Sequence, residues 1–436
     1  MRLSPRSLTL PAALVAAGCA LYSDVVIQPL TVLPTKIERG ADVVTMLRKA
    51  DYLRAVESAA QIDAKPRKTA AELVALGSAE LAAARYDAAR QHLRAALDLN
   101  PFRTTYAEAA WALAQVEYMN NNYETALEWA ETATRSGLTV LQWHREYLAA
   151  LSKVQVYRFS GLPSDEVAMK MGRPDVPRID VRMNKAPEKV IAVIDSGAVL
   201  SIMSERQAKA LNVKRLPVAR GTFFGLLGEP ISVEFGLIDS MEIGAIVVDN
   251  VPIAIMPDEK MRFVVSGKKE FRIDFLLGTN LLKEFKLELN YSRGRAVFTR
   301  LTSRDRRPAA DQNLFFDAFR PHVRGTVNQH GWYVFILDTG SEVTYLNETQ
   351  MRALPINVFT PRMHGATLQG LGGSKKHGTK LTDVKIGLDK WEGTFRTLPL
   401  YSGEEERAVG IVGENFLKHF DVVIDFGRMR VDLTRR

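Results

Sequence analysis

Cysteine is almost missing from this 436-residue sequence, and Cys19 stands alone. That excludes an intramolecular disulfide and any metal site built on several thiolates. The seven histidines are scattered, with neither H-x-x-x-H nor H-E-x-x-H spacing, so no metal or other cofactor is expected. There is no G-x-S-x-G elbow and the one cysteine lies near the N-terminus, which leaves serine or cysteine nucleophilic catalysis without a candidate. No apolar run reaches the roughly 20 residues that a membrane-spanning helix needs. Neither sign of charge dominates: 58 Lys and Arg stand against 50 Asp and Glu, a net charge of +8 with no long basic run. The balance suits an anionic membrane surface or acidic partners and does not point to nucleic acid. At 46% hydrophobic and 25% charged residues the composition is that of a globular chain, long enough for two to four domains.

What is present begins with a basic head, Arg2 and Arg6, followed by an apolar stretch from Leu8 to Ala17 and then Gly18. This reads as a secretory signal over residues 1–19. The segment Val15-Ala16-Ala17-Gly18-Cys19 resembles the lipobox of bacterial lipoproteins, where the signal is cut before the cysteine and the cysteine is lipidated. Ala16 stands where members usually carry Leu. The resemblance implies lipidation of Cys19, a membrane anchor, and a place on the periplasmic side of a bacterial cell envelope. The alternative is secretion to the periplasm without an anchor. Residues 20–42, with Pro29 and Pro34, read as a tether.

Residues 43–155 are rich in Ala, Leu, Glu and Arg at helical spacing. Leu73, Leu76, Gly77, Ala89, Leu93 and Pro101 fall where the tetratricopeptide pattern wants its small and apolar positions, although Glu80 replaces its Tyr. Tyr86-Asp87-Ala88-Ala89 recurs as Tyr123-Glu124-Thr125-Ala126, and a weaker copy begins at Tyr52. The steps are 34 and 37 residues (86 − 52 and 123 − 86), close to that repeat's period. A tetratricopeptide-like array, or a generic array of helical hairpins, is expected, with Ala89 and Ala126 where two helices cross closely. Such an array offers a surface for a protein partner.

After about Phe159 the chain turns β-rich, and Ser303 to Gln312 reads as a linker (placed within 301–314) that splits this region in two. Each part has an apolar run ending in an acidic turn: Val190 to Ile194 into Asp195-Ser196-Gly197-Ala198, and Tyr333 to Leu337 into Asp338-Thr339-Gly340-Ser341. One such turn is weak evidence, but here the surroundings repeat too. At the offset of 143 (338 − 195), Ser204-Glu205 lies over Asn347-Glu348 and Ile243-Gly244 over Ile386-Gly387. Later, at 135 (413 − 278), Leu277-Gly278-Thr279-Asn280 lies over Val412-Gly413-Glu414-Asn415. The first copy therefore holds eight extra residues (143 − 135), assigned to the polar segment around Ser266-Gly267-Lys268-Lys269. Ser204 and Asn347 are placed as helix N-caps.

An apolar strand into Asp-Ser/Thr-Gly, a Gly-containing hairpin some 30 residues on and a later apolar-apolar-Gly segment resemble the retropepsin-like aspartic peptidases. The resemblance covers residues 175–300 and 315–436. It implies a multidomain α + β chain: N-terminal helical repeats followed by two all-β lobes. It further implies a dyad of Asp195 and Asp338, supported by Ser196, Gly197, Thr339 and Gly340. Hairpins at Gly225-Leu226-Leu227-Gly228 and Gly370-Leu371-Gly372-Gly373 would close over a peptide bound as an extended strand. Ser196 replaces the commoner Thr, and neither hairpin carries the Tyr that pepsin-like enzymes place there. The activity implied is an aspartic endopeptidase acting on an envelope or secreted protein. The alternative is a catalytically silent peptide-binding or adaptor protein that uses the same fold plus the helical repeats.

Overall fold

The computed structural model describes residues 25–32, 42–49, 51–172, 174–225, 229–265, 269–352, 362–370, 373–401 and 407–436. The order expected from the sequence, helices first and then two β lobes, is the order observed. The chain divides into two compact units, one built on the helices and one on the strands.

The helical unit runs through α1 (Val43–Arg48), α2 (Tyr52–Asp63), α3 (Ala70–Ala82), α4 (Tyr86–Asp98), α5 (Arg103–Met119), α6 (Tyr123–Arg135) and α7 (Gln142–Leu151). Thr69 and Glu72 start α3 with a reciprocal capping box, which satisfies two otherwise orphaned N–H groups. Ala55, Ala89 and Ala126, the repeated alanines, are fully buried. A Cβ on Gly77 would lie 2.6 Å from Leu93 Cγ, so only glycine lets α3 and α4 close to this distance. Glu80, at the pattern's Tyr position, is buried with His92 Nδ1 2.8 Å away, and burial raises its pKa. This unit also takes in Arg215–Gly221, a stretch expected inside the first β lobe. There the Ala219 N–H donates to Glu146 Oε2 on α7 at 2.6 Å. No helix among the described residues is long and apolar enough to cross a membrane.

The β unit contains two nine-stranded sheets, one per lobe, and a five-stranded sheet to which both lobes contribute. The duplication is visible in the register. In lobe 1, strand Phe275–Leu277 runs parallel to Val190–Ile194 with Leu277 opposite Ile194, and antiparallel to Ser201–Ser204. In lobe 2, Gly410–Val412 runs parallel to His330–Leu337 with Val412 opposite Leu337, and antiparallel to Tyr345–Asn347. These pairs reproduce both offsets found in the sequence. The extra length of lobe 1 coincides with a two-stranded hairpin, Arg262–Val265 with Lys269–Arg272. Residues 266–268 lie outside the described residues. Ser204 caps its helix by accepting from the Gln207 N–H, and Asn347 accepts from the Thr349 and Gln350 N–H groups.

The five-stranded sheet is joined across the lobes by Phe285–Asn290 and Phe420–Asp425, which alternate buried and half-buried residues as a sheet with one core face requires. Two segments depart from the expected boundaries. Val25–Pro29, placed in the tether, is a strand paired with Trp391–Tyr401 of lobe 2, because Val25 and Ile27 alternate inward with Val26 outward. Ser164–Ala168, ahead of the expected start of lobe 1, pairs with Arg295–Arg300. The linker is held down as well: Arg306 reaches the Glu284 carboxylate at 2.5 Å and the Ala309 N–H reaches the Arg428 carbonyl.

Candidate active site

The two acidic turns come together at the centre of the β unit. Each aspartate leaves its strand with the backbone N–H still paired: Asp195 to the Leu277 carbonyl at 3.0 Å and Asp338 to the Val412 carbonyl at 3.1 Å. The chain then turns sharply, and an N–H from the turn binds the aspartate's own Oδ1. Ala198 supplies it for Asp195 and Gly340 for Asp338, both at 2.9 Å.

The hydroxyls of the next residues cross between the turns. Ser196 Oγ donates to the Leu337 carbonyl at 2.6 Å and Thr339 Oγ1 to the Ile194 carbonyl at 2.7 Å. In return the Ser196 N–H donates to Thr339 Oγ1 and the Thr339 N–H to Ser196 Oγ, both at 3.1 Å. Each hydroxyl thus donates once and accepts once across the lobe boundary, which fixes the two turns as a pair. Serine supplies everything this arrangement asks of threonine.

The glycines are required by the partner's carboxyl. A Cβ on Gly197 would collide with the Asp338 carboxyl, and one on Gly340 with that of Asp195. Both aspartates are fully buried, and neither Oδ2 receives a hydrogen bond from any other group among the described residues. Each carboxyl packs on the glycine of the other's turn. Burial raises the pKa of both. The Ala198 and Gly197 N–H groups and Asp338 hold Asp195 down, whereas the negative charge of Asp195 pushes Asp338 further up. Burial and the facing carboxyl thus act on the pair together, and both aspartates are pushed toward the protonated form.

Behind the turns lies a second matched layer, built on the aligned Asn280 and Asn415. Asn280 Oδ1 accepts from the Ser201 N–H at 2.7 Å and its hydroxyl at 3.0 Å; Asn415 Oδ1 accepts from the Thr344 N–H at 2.8 Å and its hydroxyl at 2.7 Å. The signal was the repeated Gly-x-Asn of Leu277 to Asn280 and Val412 to Asn415. Within that motif the lobes differ. Thr279 Oγ1 donates to the Ser196 carbonyl at 2.7 Å, while Glu414 is buried and accepts from the Tyr291 hydroxyl at 2.7 Å.

The hairpins are placed as strand pairs. In lobe 1, Gly221–Phe224 pairs with Pro230–Ile243, and the Gly225 N–H meets the Glu229 carbonyl at 3.1 Å. In lobe 2, Arg362–Gly370 pairs with Gly373–Leu388, Gly370 opposite Gly373. Leu226, Leu227, Gly228, Leu371 and Gly372 lie outside the described residues, as do Cys19 and the signal segment. No cluster of His, Cys, Asp and Glu suited to a metal ion occurs among the described residues.

Residues 179–284, most of lobe 1, match the family model described as "gag-polyprotein putative aspartyl protease". No curated protein sequence matches the chain. Among solved structures, the chain is similar to a retropepsin-like aspartic protease from Rickettsia conorii, at 17% identity and TM-score 0.22 over 33% of this chain and 96% of that one. It is also similar to the aspartic proteinase of Irpex lacteus, at 11% identity and TM-score 0.36 over 62% and 97%, and to Basic 7S globulin from soybean, at 13% and 0.37 over 62% and 94%. The family match supports a peptidase-type activity.

Proposed function

We propose that this protein is an aspartic endopeptidase in which Asp195 and Asp338 hydrolyse a peptide bond through an activated water. The observation that carries the reading is the reciprocal build of the two turns, with each carboxyl packed on the other turn's glycine and each hydroxyl bonded across. In the productive state Asp195 is ionised and takes a proton from water as its oxygen attacks the carbonyl carbon. Asp338 gives its proton to the carbonyl oxygen, forming a gem-diol. Collapse returns a proton through the dyad to the leaving nitrogen, and the C–N bond breaks. The hairpin strands at Gly221–Phe224 and Arg362–Gly370 would hold the substrate as an added strand.

The envelope setting, the lipid anchor at Cys19 and a protein partner on the helical repeats belong to the same proposal. They rest on the sequence pattern alone. Loss of radiolabelled palmitate from a Cys19→Ser chain, with label present in the parent, would support the anchor.

The deciding experiment exposes the chain lacking residues 1–19, and its Asp338→Asn variant, to a mixed peptide library between about pH 4 and 8 with mass-spectrometric readout. Cleavage by the parent alone, falling away at the alkaline end where the shared proton is lost, supports the dyad. Silence from both folded proteins favours the peptide-binding reading instead.

A further inference from the structure

The two carboxyls stand in duplicated frames, yet the residues across the ladder from them differ. In lobe 1, Arg178–Met183 pairs antiparallel with Val190–Ile194, Arg178 opposite Val193. Continued by two residues, this register sets Val176 opposite Asp195. In lobe 2, Arg320–Val327 pairs with His330–Leu337, His322 opposite Ile336, and the same continuation sets Arg320 opposite Asp338. Residues opposed across an antiparallel ladder share a face and lie within side-chain reach. Val176 and Arg320 are both buried, at 0% and 4% exposure.

Arg320 is held there by its hairpin. It is the first residue of its strand, joined to Leu314–Asp317 through Ala318 and Phe319, both at positive φ. Asp317, at the other end of the turn, is paired with Arg407. Arg320 is therefore fixed in lobe 2 at the register position opposite one member of the dyad, with an aliphatic residue at the matching position opposite the other.

We infer that Arg320 is a positioning residue for the proposed hydrolysis, its buried cation making Asp338 a stronger acid and setting the pH range in which the dyad holds one proton. The inference rests on the peptidase reading above. A carboxyl that is buried against another carboxylate parts with its proton reluctantly, and a fixed cation on its other side opposes that reluctance. The groups acting on Asp338 agree: burial and Asp195 raise its pKa, while the Gly340 N–H and the Arg320 charge lower it. No cation figures among the groups acting on Asp195. Other titratable groups face this corner: His322, whose Nδ1 lies 3.0 Å from the Arg320 carbonyl, the buried Glu342, and Tyr345, which burial and the charges of Glu342 and Asp338 push up so that it stays protonated throughout.

The test is kcat/KM against pH for the parent and for R320M, R320Q and R320K. In parallel, the dyad is titrated by carbon-13 NMR of labelled aspartate carboxyls, assigned by signals lost in D195N and D338N. In R320M and R320Q both limbs of the profile and the dyad titration should move upward by about one pH unit, with KM little changed, and R320K should return them toward the parent. R320Q, whose amide still donates hydrogen bonds, serves if R320M does not fold. An unmoved profile and titration in either folded variant overturns the inference. If the parent cleaves nothing, the peptidase reading fails by itself, and the carboxyl titration still decides whether Arg320 acts on the dyad.

Discussion

Lobe 1 and lobe 2 carry one frame with different fillings. Held in common are the aspartate, the N–H bound to its Oδ1, the hydroxyl that crosses over, the glycine beneath the partner's carboxyl, and the Asn280 or Asn415 amide behind. Free to differ are Thr279 against Glu414, Val176 against Arg320 and Ile202 against Tyr345. The difference teaches what a duplicated site within one chain allows. In a symmetric pair of identical subunits every neighbour of the dyad must appear twice. In one chain a single cation or a single buried acid can be placed on one side only.

The comparison breaks most severely at the carboxyls. Asp195→Asn and Asp338→Asn should each reduce cleavage on the order of 10²–10⁴-fold, measured as kcat on the best library peptide. Both should also melt higher than the parent at neutral pH. The native dyad keeps a proton that the unfolded carboxyls release above about pH 4, so parent stability falls as pH rises from there toward the raised pKa. The slope is roughly 1.4 kcal/mol per pH unit, and the gain should shrink as pH falls toward 4. A neutral-pH melt unchanged in both variants would contradict the shared proton.

The next effect tests the shared part of the frame. Ser196→Ala and Thr339→Ala each remove a hydroxyl that donates and accepts while buried, at a cost of about 1–3 kcal/mol, read by chemical denaturation. The Thr339→Ala cost should exceed the Ser196→Ala cost only by the buried methyl that goes with it, about 1 kcal/mol, and a much larger inequality would mean that the crossing is not reciprocal. The smallest effect sharpens the unshared part. Burial raises the pKa of Glu414 well above the ordinary value, so its contribution to stability falls as pH rises above the unfolded value. Glu414→Gln keeps an acceptor for Tyr291 and removes the ionisation, and its stability relative to the parent should grow with pH. Thr279→Val should show a pH-independent difference.

The duplication was legible in the sequence because both copies keep their polar residues in register. The same alignment located the acidic turns, the N-caps Ser204 and Asn347, and the extra hairpin of lobe 1. Arg320 escaped because its place depends on a strand pairing across a turn made by Ala318 and Phe319. That pair takes two positive φ angles without the Asn-Gly or Asp-Gly signal that usually announces such a turn. Val25–Pro29 escaped because five residues are too short for alternation to stand out beside two prolines. Arg215–Gly221 escaped because packing against distant helices leaves no local pattern.

The strand Val25–Pro29 also sets an order of events. Val25 pairs with Phe395, and Gln28 reaches the buried Glu392 carboxylate at 2.6 Å, so a piece made ahead of the helices completes a sheet made long after them. Between them lie helices α1 to α7, which are therefore an insertion within the chain of the β unit rather than an appendage to it. Until Trp391–Tyr401 is made, Val25 and Ile27 have no ladder to join. A fragment beginning at residue 315 would in turn leave that strand with an open edge, the kind of surface that recruits strands from other molecules. Lobe 2 is contiguous in space and discontinuous along the chain.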